Sequence, residues 1–198
     1  MQIGVLGIQG DIQEHLRTFE KLGHRAIWIK NPEQLDNIQA LIMPGGESTT
    51  MTRLMKIFSL WDKIKDKIHS GMPVFATCAG MVILSESIEN YPHQETMGLL
   101  PVRIERNGYG RQVESFETEI EIPCLENKSP FLTVFIRAPR IIGAHGNVNI
   151  LATYKKDPVL VEYKNILAAS FHPELTDDTR IHEYFLRKIS KCKIIKPL

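Results

Sequence analysis

Cysteine is scarce. The three in this 198-residue chain, Cys78, Cys124 and Cys192, stand far apart, are odd in number and form no Cys-x-x-Cys pair. Such spacing gives neither a disulfide framework nor a zinc site, and it suits a reducing cytoplasm. Histidines are scattered without paired ligand spacing, so no metal is expected. No apolar run reaches the length that spans a bilayer. The opening "MQIGVLGIQG" lacks the basic and apolar regions of a signal peptide and reads instead as a first core strand. An excess of one charge is missing too. A net charge of +1 offers no bulk attraction to nucleic acid or to an anionic membrane. Internal repeats, low-complexity tracts and linkers are absent.

What is present describes an ordinary soluble domain. Hydrophobic residues make up 43% and charged residues 24%, enough apolar surface for one full core. The first half alternates strand and helix: "IGVLGIQ" and "AIWIK" as strands, "DIQEHLRTFEKLG" as a helix with Ile12, Leu16 and Phe19 on one face, and "PEQLDN" as a short helix. Asp11 is the expected cap of that first helix, Glu14 the closer of a capping box, and Gly23 its C′ residue. "ALIMPGG" is a strand ending in a loop. "STTMTRLMKIFSLWDKIKDKIHSG" reads as one long helix with Leu54, Ile57, Leu60, Ile64 and Ile68 facing inward. Strands buried on both faces and joined by crossover helices imply a parallel sheet. The second half consists of short, partly alternating strands, with hairpin connections at "YKKDP" and "YKN", and closes on a helix capped by Thr176. The expected fold is a three-layer α/β domain over 1–190, mainly parallel with a small antiparallel annex, followed by a tail at 191–198.

Three stretches carry chemistry. In "GMPVFATCAGMVILSES" a short strand gives way to a helix at Cys78. The first N–H groups of the helix are free there, so a thiol is more readily ionised and an oxyanion can be held. Gly80 keeps the turn free of side-chain bulk. A free cysteine is also, most often, a small buried hydrophobe. In "ASFHPELTDD", His172 and Glu174 lie two apart, and on extended backbone they point the same way, as a base and the carboxylate that fixes its tautomer. Pro173 disfavours a helical His172. A turn histidine beside an unrelated surface glutamate is the plainer reading. In "LIMPGGESTT" two glycines let backbone N–H groups approach a ligand, and Ser48 or Thr49 can cap the next helix, but the lysine of a Walker motif is missing.

Taken together and in this order, "PGGES", "TCAG" and "FHPE" resemble the class I (triad) glutamine amidotransferases. "GVLGIQGDIQEH", "PGGESTT", "ATCAGM", "GYGRQVESFE", "FIRAPR" and "FHPELTDD" are similar, more narrowly, to the glutaminase subunits of pyridoxal 5′-phosphate synthase. The likeness runs from about Met1 to about Ile189. It implies Cys78 as nucleophile, with His172 and Glu174 completing the triad. It matches Gly46, Glu47, Ser48, Arg106, Ile136 and Arg137 to contacts with L-glutamine. The amides of Gly46 and Ala79 are the candidate oxyanion hole. Glu47 and Arg106 could meet the two charges of free glutamine, arginine being suited to the carboxylate. Cys78-Ala79-Gly80-Met81-Val82 lacks the Gln that follows the elbow in many triad amidotransferases, which argues against the branches serving GMP, CTP or anthranilate synthesis.

The resemblance further implies a partner and no cofactor. A chain of this length has no room for an ammonia-accepting domain, so it is expected to dock on the synthase subunit, a (β/α)₈ barrel, in a hetero-oligomer. That barrel would combine ammonia with ribose 5-phosphate and glyceraldehyde 3-phosphate, and the free chain would be slow. "GDIQEH" and "GYGRQVESFE", with His15 and Arg111, are candidate docking surfaces or solvated surface. The alternatives are the glutaminase of imidazole glycerol phosphate synthase, a non-catalytic relative serving as redox sensor or chaperone, and a peptidase, against which the glutamine-binding charges argue.

Overall fold

Four apolar segments set the frame. Gln2–Leu6 (β1), Arg25–Ile29 (β2), Ala40–Met43 (β3) and Val74–Thr77 (β4) are parallel neighbours. The computed structural model describes residues 1–109 and 115–194, the side chains of 191–194 excepted. A fifth parallel strand, Ile166–Ala169 (β12), lies on the other side of β4. Asn149–Tyr154 (β10) and Asp157–Tyr163 (β11) extend that edge antiparallel, giving the order β10-β11-β12-β4-β3-β1-β2. The two turns of this extension use the expected hairpin residues: Lys155, Lys156 and Lys164 all have positive φ.

Side chains alternate across the sheet. Leu41, Met43, Val74 and Ala76 face one core, and Ala40, Ile42 and Phe75 face the other. The first core is covered by Ser48–Ile57 (α2), Trp61–His69 (α3) and Ala79–Leu84 (α4), through Met51, Met55, Ile64, Ile68 and Met81. The second is covered by Ile12–Lys21 (α1) and Arg180–Ile194 (α5), through Phe19, Ile181, Phe185 and Ile189. The annex holds two small sheets. Ser85–Ile88 (β5), Leu100–Glu105 (β6) and Arg140–Ala144 (β9) form one, and Ser115–Ile120 (β7) with Phe131–Ile136 (β8) form the other. Phe116 and Phe135 stack at 4.6 Å and tie the β7–β8 hairpin together. The sequence did not mark β5 or β9.

The expected long second helix is two. Its break lies at Phe58-Ser59-Leu60, where Leu60 N–H donates to the Met55 carbonyl and Ser59 N–H to that of Lys56. This is a Schellman closure, with Ser59 left-handed at φ +56°. The inward face shifts accordingly: Met51 and Met55 are buried, whereas Ile57 is 59% exposed. No glycine or proline announces the break. A left-handed L-residue costs roughly 1 kcal/mol or more. Ser59→Gly is therefore expected to stabilise the fold by about 1 kcal/mol, a rise of ~2–4 °C in melting temperature for a chain of this size. A thermal melt checks it, and an unchanged or lower midpoint contradicts it.

Other caps differ as well. Asp11 sits at the N-cap of α1 without a side-chain cap hydrogen bond, and α1 shows no capping box with Glu14. Gly23 has the left-handed φ expected of C′. Thr176 ends a 3₁₀ turn, Pro173–Leu175, four residues before α5 begins, and does not cap that helix.

Candidate active site

The carboxyl ends of four adjacent parallel strands meet at one place. β1 delivers the Gln9–Asp11 loop, β3 the Gly45–Ser48 loop, β4 Cys78, and β12 His172. Ligands of open α/β sheets bind at such ends. A cavity of about 300 Å³ lies there. It is lined by Gly46, Glu47, Ser48, Cys78, Ala79, Arg106, Ile136, Arg137 and His172, every residue the sequence marked except Glu174. Glu174 stands behind His172, buried. Gln9, Asp11 and Asn107 also line the cavity and were not among the expected site residues, Asp11 having been read as a helix cap.

Cys78 joins β4 to α4 with φ +44° and ψ −102°, a conformation that costs an L-residue about 1–3 kcal/mol. Its N–H donates to the Ala169 carbonyl at 2.9 Å, which ties the joint to β12. Gly80 is required just beyond: a Cβ there would stand 2.2 Å from the Met43 carbonyl oxygen. Ala79 is the first residue of α4, so its N–H has no acceptor within the helix. The thiol donates to the Ile136 carbonyl at 3.8 Å. Arg137, next in the chain, is itself left-handed at φ +42°.

His172 is not on extended strand. It precedes the 3₁₀ turn, with φ −108° and ψ 85°, and that turn brings Glu174 back to it. Nδ1 of His172 lies 3.0 Å from Glu174 Oε1 and 3.2 Å from Asp11 Oδ2. The pairing expected from the spacing is present, but a turn makes it rather than strand alternation. Gly45 admits the ring, since a Cβ there would meet His172 Cε1 at 2.2 Å. Nε2 is buried and has no hydrogen-bond partner among the described residues. Burial alone would push the imidazole down. Asp11, the Cys78 thiol and Glu174 outweigh it and hold it up at about 12. For Glu174, burial would raise the carboxyl, but the facing His15 and His172 rings hold it well below the usual range. Asp11, His172 and Glu174 also bring possible metal-ligand atoms within 4.8 Å of one another. Both carboxylates already face His172 Nδ1, so an ion there would replace those contacts, and the set fits proton handling better.

Glu47, not Ser48 or Thr49, caps α2. Its carboxylate accepts from Thr49 N–H at 3.3 Å and Thr50 N–H at 2.6 Å, and Arg106 Nη2 donates to it at 3.0 Å. Burial would raise its pKa. The hydrogen bonds from Thr50 and Thr49 and the charge of Arg106 bring it down to about 2. Gln94, also unmarked, binds the same loop: its Nε2 donates to Ser48 Oγ at 2.9 Å, and its Oε1 accepts from Arg106 at 2.6 Å. Gln9 Oε1 accepts from Glu47 N–H at 2.7 Å. The two charges expected to bind glutamine thus face one another across the mouth of the cavity.

His15 is not a surface residue. It is fully buried behind the triad, against Thr77, Glu174 and His182. Its place on the α1 stripe, three after Ile12 and four before Phe19, was the available signal. Arg111 lies outside the described residues, as does much of "GYGRQVESFE". Burial pushes the His182 imidazole down to about 3, and His15 beside it acts in the same sense. In the unfolded chain the ring takes its proton near pH 6.5, so its contribution to stability is complete above that value and is lost as pH falls toward 3. His172 is raised, so its contribution is complete below 6.5 and lost toward about 12; it adds no slope on the acid side. Wild type is expected to lose up to ~1.4 kcal/mol per pH unit from His182 below 6.5. Denaturant melts from pH 6.5 to 4.5 check this, and His182→Gln should flatten the slope. An equal slope in that variant contradicts it.

Comparison with known proteins agrees with this geometry. The SNO glutamine amidotransferase family matches residues 5–191. A relative from Kosmotoga olearia, named pyridoxal 5′-phosphate synthase subunit PdxT, is 60% identical over 189 residues, covering 96% of this chain and 98% of its own length. One of the same name from Thermotoga sp. (strain RQ2) is 57% identical over 96% of this chain and all of its own. A solved structure described as a glutamine amidotransferase superimposes with a TM-score of 0.90 at 42% identity, over 95% of this chain and 98% of that one. Among the described residues no helix is long and apolar enough to cross a membrane.

Proposed function

The chain belongs to the SNO glutamine amidotransferase family, and from that premise we propose that it is the glutaminase of a pyridoxal 5′-phosphate synthase. It hydrolyses L-glutamine to L-glutamate and ammonia for vitamin B6 synthesis. The observation that carries the mechanism is the convergence of Cys78 and His172 on one cavity, with Glu174 on the far nitrogen of the imidazole.

Glutamine enters with its ammonium toward Glu47 and its carboxylate toward Arg106, each replacing part of the ion pair that joins those residues at rest. Gly46, Ser48, Ile136 and Arg137 line the same space. With the Cys78 proton held on His172 Nε2, the sulfur attacks the side-chain amide carbon. Negative charge on the amide oxygen is held by the N–H groups of Ala79 and Gly46. His172 passes its proton to the amide nitrogen, the C–N bond breaks and ammonia leaves. Water then gives a proton to His172 and attacks the thioester. The sulfur departs, takes the proton back, and glutamate is released. Glu174 keeps the Nδ1–H tautomer throughout and stabilises the imidazolium.

At rest the thiol faces Ile136 and Glu47 faces Arg106. Both arrangements support a free chain that is slow until its partner docks. That partner is the synthase subunit, a (β/α)₈ barrel in a hetero-oligomer, which receives ammonia before water can protonate it. Residues 1–190, expected to act as one glutaminase domain, are continued by α5 to Ile194, past the expected start of a tail at 191, and a catalytic free thiol suits a reducing cytoplasm. Glutamate release from L-glutamine, measured with and without the synthase subunit, tests this. Turnover that rises on adding the subunit supports it, and none under either condition refutes it.

A further inference from the structure

Behind the triad lie two histidines that the proposed reaction leaves unused. His15 on α1 and His182 on α5 are both fully buried. His15 Nε2 stands 3.5 Å from Glu174 Oε1 and 3.4 Å from Thr77 Oγ1. Thr77 Oγ1 donates its one hydrogen to the same Oε1, at 3.2 Å. Both oxygens facing His15 Nε2 are therefore acceptors, so Nε2 carries a hydrogen. Nδ1 of His15 lies 3.1 Å from His182 Nε2, and it accepts when the His182 hydrogen sits on that Nε2. His182 Nδ1 has no partner among the described residues and is left as a bare lone pair. Reversing both rings would instead bury an orphaned N–H, the rarer and costlier arrangement. Phe75, edge-on to both rings, and Phe19, edge-on to His182, close the site with apolar surface.

We propose that His15 is a positioning residue for glutamine hydrolysis: its Nε2–H holds Glu174 Oε1 in place beneath His172 Nδ1, and His182 fixes the tautomer that allows it. The chain Cys78–His172–Glu174 is thereby extended to His15 and His182. Glu174 Oε1 accepts from His172 and Thr77 and faces the His15 Nε2–H at 3.5 Å, and losing that third contact frees the carboxylate to turn from the imidazole. Neither His15 nor His182 lines the cavity, so the effect falls on turnover and not on substrate binding.

This rests on the triad reading above, and its test separates the two. In the complex with the synthase subunit, His15→Leu is expected to lower kcat roughly tenfold or more with KM unchanged, as loss of a buried network member does. His15→Gln, whose side-chain amide offers an N–H at similar reach, should recover most of it. Wild-type kcat in a folded His15→Leu overturns the proposal, as does an equal loss in both variants, which would mark a packing role. Should His15→Leu not fold, ¹⁵N spectra of the unmutated chain decide: a protonated Nε2 and bare Nδ1 on His15 support it, and the opposite tautomer overturns it. An inactive wild-type complex would strike at the glutaminase reading alone, because the tautomer is read without turnover.

Discussion

Replacing Cys78 by alanine is expected to abolish glutamate release while leaving the fold intact. The sulfur is the only atom lost. Alanine meets the same backbone cost at φ +44° as cysteine does, so the joint between β4 and α4 keeps its geometry. In a well-studied serine hydrolase, loss of the nucleophile costs about 10⁶ in kcat, and what remains comes from the oxyanion hole and binding. A drop of roughly 10⁴ or more in the complex with the synthase subunit is the expected result here. The variant should retain glutamine in its cavity, since Glu47, Arg106 and the Gly46 loop are untouched. Kinetics and a thermal melt on the same preparation check both halves. Activity within tenfold of wild type would remove Cys78 from the reaction.

Glu174→Gln should be the next most damaging change. The carboxylate is buried, lies outside the cavity, and accepts from His172 Nδ1 at 3.0 Å and Thr77 Oγ1 at 3.2 Å. An amide of the same shape removes the charge that stabilises an imidazolium and presents a donor where two donors already point. The matching acid-to-amide swap in the serine-protease triad costs ~10⁴ in kcat. Asp11 Oδ2, 3.2 Å from the same Nδ1, provides a fallback counter-charge, so a loss nearer ~10²–10³ is expected for the single change. Adding Asp11→Asn should deepen it. KM should change little, because Glu174 does not touch the substrate space. Turnover within threefold of wild type would show that the carboxylate does not support the base.

These effects trace to features of unequal visibility in the sequence. The parallel sheet and its helices were readable because strand and helix periods alternate cleanly through the first half. Cys78 was readable as a thiol where one period gives way to the other. Its strained backbone was not, because the groups that surround the joint, the Ala169 carbonyl that accepts from Cys78 N–H and the Met43 carbonyl beside Gly80, come from distant strands. His172 and Glu174 were paired for a reason the fold does not use: spacing on a strand suggested them, and a 3₁₀ turn joins them. The break at Ser59 stayed hidden because nothing in "KIFSLW" resembles a stop signal. Gln9 and Gln94 fit no local pattern, since their partners lie 38 and 46 residues away. His15 sat on an apolar stripe, and the stripe was the clue to its burial.

The central claim is that Cys78 forms a covalent bond to the side-chain carbonyl carbon of glutamine. Acid-quenching the wild-type complex during turnover and mapping the modified residue by mass spectrometry tests it most directly. One γ-glutamyl group on Cys78, lost on the timescale of glutamate release, is the predicted result. Steady hydrolysis with no adduct on Cys78, or with the adduct on Cys124, would contradict it.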